Sequence, residues 1–431
     1  MIKRILLGGI VVAAAVAFLI VWEPAIDEID RPSANSFDPD LVAKGKVLAG
    51  LGNCGSCHTG DPSKPLAGGV DFPTPFGTLY STNISPHPEQ GIGNWSEEAF
   101  VRAMREGVSR DGSHLYPAFP YTHYSKVTDE DLSALYAYVM SREAVDFQGP
   151  DNELAFPFNL RMLQAGWKTL FFDGDRFEPN AEKTDAWNRG AYIAEGLGHC
   201  TACHSPRNAM GAEIEDQTYD GAVVDNWYAP ALNTSHSAPV PWTEDELYQY
   251  LRAGGSAWHG IAAGSMASVV HKGLIEAPDN DIQALAVYFR DLTGAVGNDQ
   301  AAEVATQRIQ QAHDLMASDT SAGEQVFTAA CASCHYNTPD AAKAARPELS
   351  LNSAITAPDP VNLLRITLHG VDEPTGLRGL AMPGFNELSN ADLVALARYL
   401  RASAGQPPWD NLEQHVEDAR QLQALTQDSR S

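Results

Sequence analysis

The chain has 431 residues, 44% of them hydrophobic, and 29 Lys and Arg against 55 Asp and Glu give a formal net charge of −26. That length is too great for one small core and calls for two to four domains, and the apolar content is that of a globular, water-soluble body. A surface this acidic repels nucleic acid and anionic lipid headgroups, so nucleic-acid binding is excluded; it either steers a basic partner or is simply well solvated.

The first element in chain order is an apolar run. Lys3 and Arg4 precede the uninterrupted stretch Ile5 to Trp22, and Glu23, Asp27, Glu28 and Asp30 follow it. The stretch sits at the short end of what a helix needs to cross a bilayer. Basic residues before it and acidic ones after it leave the N-terminus in the cytoplasm and the body outside. We expect an uncleaved transmembrane anchor within residues 1–30. A cleaved signal peptide is the alternative, with Ala15-Val16-Ala17 as the processing site, although five more apolar residues follow that site. Both readings export the body.

Beyond the anchor a pattern occurs three times. Cysteines fall in pairs, Cys54 with Cys57, Cys200 with Cys203 and Cys331 with Cys334, and His58, His204 and His335 follow at once. Two thiols at this spacing on one helical turn reach the two vinyl groups of one haem, and the adjacent histidine reaches its iron. Zinc would need pairs of pairs, which three do not supply, and a thioredoxin-like redox pair does not call for histidine at one offset three times. The implied cofactors are three haem c groups.

Each motif is preceded by a short amphipathic stretch with a glycine eight to ten residues ahead of the first cysteine: Gly45, Gly190 and Gly323. This reads as a first helix whose glycine permits close packing on a last helix. Asn83, Asn233 and Asn352 stand in similar mid-domain settings, and a helix ending in Gly107, Gly254 or Gly370 comes next. The last segments match best. Thr128-Asp-Glu-Asp131-Leu, Pro278-Asp-Asn-Asp281-Ile and Ser389-Asn-Ala-Asp392-Leu each open an Ala- and Leu-rich helix that runs to Tyr138, Tyr288 or Tyr399. Thr128 and Ser389 are N-cap residues with an acid three positions on.

The expected architecture is all-α. Three tandem class I cytochrome c domains, 38–145, 181–296 and 318–405, follow the N-terminal transmembrane helix. The linker 146–180 is unusually aromatic, with Leu154-Ala-Phe-Pro-Phe-Asn-Leu-Arg161 and Trp167-Lys-Thr-Leu-Phe-Phe172. It packs across a domain junction, or it forms a site for membrane, quinone or a catalytic subunit. The linker 297–317 is Ala- and Gln-rich and reads as helical; the tail 406–431 is polar, docked on a partner or loose.

Pro73-Thr-Pro-Phe-Gly-Thr-Leu-Tyr-Ser-Thr-Asn83, Gly91-Ile-Gly-Asn-Trp95-Ser, Trp187-Asn-Arg-Gly-Ala-Tyr192, Gly196-Leu-Gly-His-Cys200 and Leu368-His-Gly370 resemble the triheme cytochrome c subunit of membrane-bound bacterial dehydrogenases. That family serves periplasmic alcohol-, sugar-acid- and aldehyde-oxidising enzymes. The resemblance implies an electron-transfer subunit rather than a catalyst. It would lie on the periplasmic side of the inner membrane and pass electrons from a catalytic dehydrogenase subunit to ubiquinone or another respiratory acceptor. The partner's own cofactor is molybdenum, flavin or quinone; the Phe119/His123 loop and the Trp167 segment lean towards molybdenum enzymes.

In such domains the second axial ligand comes from a loop just before the last helix. Leu380-Ala-Met382-Pro offers Met382, and Ala263-Gly-Ser-Met266 offers Met266, with His271 as rival. Domain one departs from the pattern. Its loop, Leu115-Tyr-Pro-Ala-Phe119-Pro-Tyr121-Thr-His123, has Phe119 where relatives carry methionine. His123 becomes the candidate, with His114, Met104 or an open iron behind it. An open iron would make the chain a peroxidase- or reductase-like haem enzyme instead. Trp95, Trp242 and Arg207 are candidate donors to haem propionates, with ordinary packing or surface solvation as the plain alternative. His87, His236, His259, His313, His369 and His415 read as non-ligands.

Overall fold

The structure, a computed structural model, describes residues 21–317, 319–336, 346–371 and 381–428. It divides into two compact units: residues 1–182 with 191–199, and residues 183–190 with 200–431. Among the described residues no helix is long and apolar enough to cross a membrane. The apolar run, apart from Val21 and Trp22, lies outside them.

The first unit contains α1 (Pro39–Leu51), the single turn α2 (Cys54–His58), strands β1 (Asp71–Thr74) and β2 (Gly77–Tyr80), α3 (Glu97–Glu106), α4 (Tyr121–Tyr124) and α5 (Asp129–Met140). Then come β3 (Glu153–Leu154), antiparallel to β2 with Gly77 opposite Leu154, and α6 (Leu163–Phe171). Helix α7 (Asp185–Glu195) leads into the second unit. There follow α8 (Thr201–His204), the hairpin β4 (Ala222–Val224) and β5 (Trp227–Ala229), and α9 (Glu244–Ala253). A short ladder of β6 (Gly255–Ser256) and β7 (Gly260–Ile261) precedes α10 (Gly264–Ser268), α11 (Asp279–Thr293) and α12 (Asn298–Ala317). The last elements are α13 (Ala322–Ala330), α14 (Ala332–His335), α15 (Ser353–Thr356), α16 (Val361–His369), α17 (Asn390–Ser403) and α18 (Leu412–Asp428). The fold is mainly helical, as composition and periodicity lead one to expect; the three short antiparallel ladders went unread because two- to four-residue strands leave no alternation to count.

The helix starts follow local rules. Thr128 Oγ1 accepts from Asp131 N at 3.3 Å, and Ser389 Oγ accepts from Asp392 N at 3.1 Å while the Asp392 carboxylate takes the Ser389 N–H, a complete capping box. Pro278, in the matching position before α11, makes no side-chain cap. The acids of this repeated segment diverge in their partners. Buried Asp131 accepts from Tyr192 Oη at 2.6 Å and pairs with Lys44 at 2.8 Å, whereas buried Asp281 is held by Arg189 through Nε and Nη2 at 2.8 and 2.9 Å. Both carboxylates are buried without being left unpaired, which the low dielectric demands.

Three helix crossings share one geometry. Gly45 on α1 lies against Ala134 O and Tyr138 Cβ of α5; Gly190 on α7 lies against Ala284 O and Tyr288 Cβ of α11; Gly323 on α13 lies against Ala395 O and Tyr399 Cβ of α17. A methyl group at any of them would collide with the facing carbonyl, so the glycines are required by approach distance.

Helix α12 buries Ala301, Ala305, Ile309, Ala312 and Met316, a stripe at helical spacing, and its first three pack with Val240 and Leu351. The tail is no loose end. Leu412, Val416 and Ala419 of α18 share a core with Trp409, Leu393 and Leu400, and Trp409 Nε1 donates to Ala357 O at 2.9 Å.

Gly323→Ala should lower stability by about 1–3 kcal/mol, the usual range for overpacking a tight contact. A guanidinium midpoint unchanged from wild type would show that α13 and α17 are not held at this distance.

Candidate haem sites

Two of the three motifs leave the preceding helix through a left-handed residue. Asn53 has φ 48° and His199 has φ 36°, each immediately before the first cysteine. Asparagine visits this region readily; histidine does so less often. The bend lets α2 and α8 start as new single turns, on which thiols three residues apart lie on one side. None of the six described cysteines is joined in a disulfide. Burial, and then the second thiol of the same pair, pushes Cys54 and Cys200 up to about 12 and Cys331 up to about 11. The first thiol of each pair is therefore neutral at physiological pH until a thioether replaces it.

The histidines are oriented by backbone. His58 Nδ1 lies 2.7 Å from Thr82 O, His204 Nδ1 lies 2.7 Å from Pro230 O, and His335 Nδ1 lies 3.0 Å from Pro347 O. A carbonyl only accepts, so Nδ1 carries the proton and the lone pair is on Nε2, the arrangement of a metal-ligating imidazole. Burial lowers the proton affinity of all three rings, which keeps them neutral and able to coordinate. The carbonyls come 24, 26 and 12 residues after their histidines. Asn83, Asn233 and Asn352 follow those carbonyls by one, three and five residues, so the three asparagines do not occupy equivalent places. Asn83 donates to Val145 O and Phe147 O, Asn233 to Thr218 O and Asp220, and Asn352 caps α15.

Backbone register compares the candidate distal loops. Leu115 N donates to Gly107 O and Ala262 N to Gly254 O, both at 2.8 Å, and both glycines are left-handed C-caps. Phe119 and Met266 each stand four residues beyond that anchor, so Phe119 takes the place of a methionine in the first loop. Met266 is half-buried on α10. Met382, also half-buried, forms a two-bond bridge with Val371 at 2.9 and 3.0 Å, directly after the end of α16.

The histidines of these loops differ in their surroundings. His123 is buried on α4 with Nδ1 3.1 Å from Glu195 O, the same carbonyl-held arrangement as the three motif histidines. His114 has both nitrogens engaged, Nε2 with Val21 O at 2.9 Å and Nδ1 with Lys168 Nζ at 3.1 Å. His271 covers Gly254 at the end of α9, as Tyr121 covers Gly107 at the end of α3. A π-helical stretch, Val269–Gly273, carries it there. Met104 is buried within α3.

Two of the candidate propionate donors have partners within the protein. Arg207 bonds Gly211 O and Ala202 O at 2.7 and 2.9 Å and closes its own loop. Trp242 stacks on His259 at 3.5 Å. His259, one of the histidines read as non-ligands, is the most isolated polar group of this region. It is buried, burial and nearby His236 push it down to about 3, and neither ring nitrogen has a hydrogen-bond partner among the described residues. Nothing in the string Ala257-Trp258-His259-Gly260 signals that isolation.

Two thiols and a carbonyl-held imidazole on one helical turn fit haem c, and among the described residues no group of three or more His, Cys, Asp or Glu forms a metal site of another kind. A mainly helical chain carrying such turns is a c-type cytochrome. The cytochrome c family model matches residues 42–143 and 320–404. The chain is 36% identical to the gluconate 2-dehydrogenase cytochrome c subunit of Pantoea cypripedii, covering 90% of each protein. It is 33% identical to the fructose dehydrogenase cytochrome subunit of Gluconobacter japonicus, over 89% of this chain and 82% of that one. Over 96% of its length it is 43% identical to a much longer protein, one of the subunits of the nicotinate dehydrogenase of Pseudomonas putida, of which it spans 35%. The chain belongs to the family of cytochrome c subunits of dehydrogenases, and its part in such a complex is electron transfer.

Because His271 packs on a helix end in the place of Tyr121, His271→Tyr should leave the near-infrared ligand bands of every haem unchanged. Loss of a band would make His271 an iron ligand.

Proposed function

We propose that the chain carries electrons on three covalently bound haems in three tandem class I domains, from a catalytic dehydrogenase subunit to ubiquinone or another respiratory acceptor. The observation that carries this reading is the threefold recurrence of a cysteine pair beside a histidine whose Nδ1 is held by a backbone carbonyl. The three glycine crossings support three domains, each with its own first and last helix, although the contacts cluster into two units. Bound haem supplies a one-electron iron couple. The chain's own residues attach it through Cys54, Cys57, Cys200, Cys203, Cys331 and Cys334 and fix the imidazoles of His58, His204 and His335. Met266, Met382 and His123 would supply the second ligand to each iron. Thioether favours reduced iron and a second imidazole favours oxidised iron, so the first haem would have the lowest potential, other influences being equal.

The run Ile5 to Trp22 anchors the chain in the bacterial inner membrane, with the haem-bearing body in the periplasm. The partner is a dehydrogenase of molybdenum, flavin or quinone-cofactor type. The cytochrome subunits named above support a catalytic partner; the molybdenum type is the one towards which the Phe119/His123 loop and the Trp167 segment lean.

Pyridine haemochrome assay against protein mass should give three haems per chain; a value near two, with one thiol pair open to alkylation, would remove a domain from the set. His123→Ala should abolish a single two-histidine near-infrared signature, leave two His/Met signatures and open one iron to carbon monoxide. Three intact signatures in that variant would place the ligand elsewhere.

A further inference from the structure

Helix α6 is apolar on both sides. Its inner face buries Ala165 and Trp167, and Trp167 and nearby Phe172 pack on Tyr121 with ring centroids 6.4 and 5.3 Å away. Its outer face shows Leu163, Gly166 and Leu170, spaced three and four residues apart and all exposed. The loop leading into it continues the same surface: Phe156 is 79% exposed, Met162 55%, and Leu170 on the helix 67%. Phe158 and Leu160 are exposed as well. Phe158 is tied down, its ring 4.8 Å from Phe76 and its carbonyl bonded by Tyr116 Oη at 3.1 Å. A helix that buries one apolar face and presents another has a second apolar environment to meet.

The cations of this region turn inward. Lys168 donates to Gly107 O at 2.9 Å and to His114, and Arg161 donates to His114 O at 3.2 Å with its guanidinium over the Tyr116 ring. The same His114 holds Val21 O at 2.9 Å, and Val21 is the penultimate residue of the apolar N-terminal run. Trp22, the residue suited to a membrane–water boundary, is 56% exposed. One histidine thus joins the end of that run, the loop 156–162 and α6.

We propose that the outer face of α6 and the loop before it lie in the lipid interface, forming a second membrane contact beside the anchor. This rests on the anchor reading given above. Attachment is by apolar burial, since a net charge of −26 offers no attraction to anionic headgroups. Its effect is to fix the tilt of the first unit, so that the Phe119–His123 loop, which α6 covers through Tyr121, is held at the bilayer surface.

The test uses the full haem-loaded chain in phosphatidylcholine–phosphatidylglycerol vesicles, with spin labels on Leu163→Cys, Leu170→Cys and, as a water-exposed control in the same unit, Asp146→Cys. The ratio of oxygen to nickel-chelate accessibility should be several-fold higher at 163 and 170 than at 146. Equal ratios at all three positions would overturn the proposal. So would labels at 163 and 170 shielded from both reagents, or broadened by a second label, because protein would then cover the face. Alkaline extraction reports separately on the anchor. A chain that leaves the vesicles at high pH disproves the anchor, and the neutral-pH ratios still decide whether α6 touches lipid.

Discussion

At Gly45, Gly190 and Gly323 the backbone of one helix lies so close to a carbonyl of another that no side chain fits between them. The crossing fixes where the first helix ends relative to the last, and hence where each cysteine pair emerges. The matching registers of Met266 and the Phe119 segment are set separately, by the backbone bonds of Leu115 and Ala262 to Gly107 and Gly254. Tyr138, Tyr288 and Tyr399 recur beside the three glycines because the space one residue gives up must be filled by its neighbour, given the density of a protein interior.

Around that frame the haem-binding chemistry depends on backbone rather than on further side chains. A carbonyl holding Nδ1 orients an imidazole without adding a charge, so the three histidines stay neutral under burial. His123 repeats the device with Glu195 O, whereas both nitrogens of His114 are engaged and His271 packs on Gly254. Electron transfer asks little more of a protein than rigid ligands and a dry setting, which accounts for chemistry carried by few residues in a chain of this length.

The acidic surface and the apolar face of α6 divide the molecule's outward behaviour. Charge keeps the body solvated and apart from anionic surfaces. The exposed leucines, methionine and phenylalanines of residues 156–170 lie next to the end of the N-terminal run, and the region's lysine and arginine are withdrawn to backbone carbonyls.

Sequence alone determined whatever depends on residues within a few positions of one another. The thiol and histidine spacing, the caps at Thr128 and Ser389, the helix of residues 298–317 and the glycines of the first helices all follow from the geometry of a single turn or a single stripe. The departure at Phe119 was legible through the resemblance, since relatives carry methionine there and a side chain without a lone pair cannot bind iron. Tertiary structure decided the rest. The carbonyls that hold the motif histidines arrive after loops of different length, which is why aligning Asn83, Asn233 and Asn352 misplaced them. A π-helical stretch moved His271 onto a helix end, Arg207 closed its own loop, and Leu412, Val416 and Ala419 drew a polar tail into the core. Each of these outcomes depends on which distant group comes within bonding distance, and that is set by chain packing rather than by the neighbours of a residue in sequence.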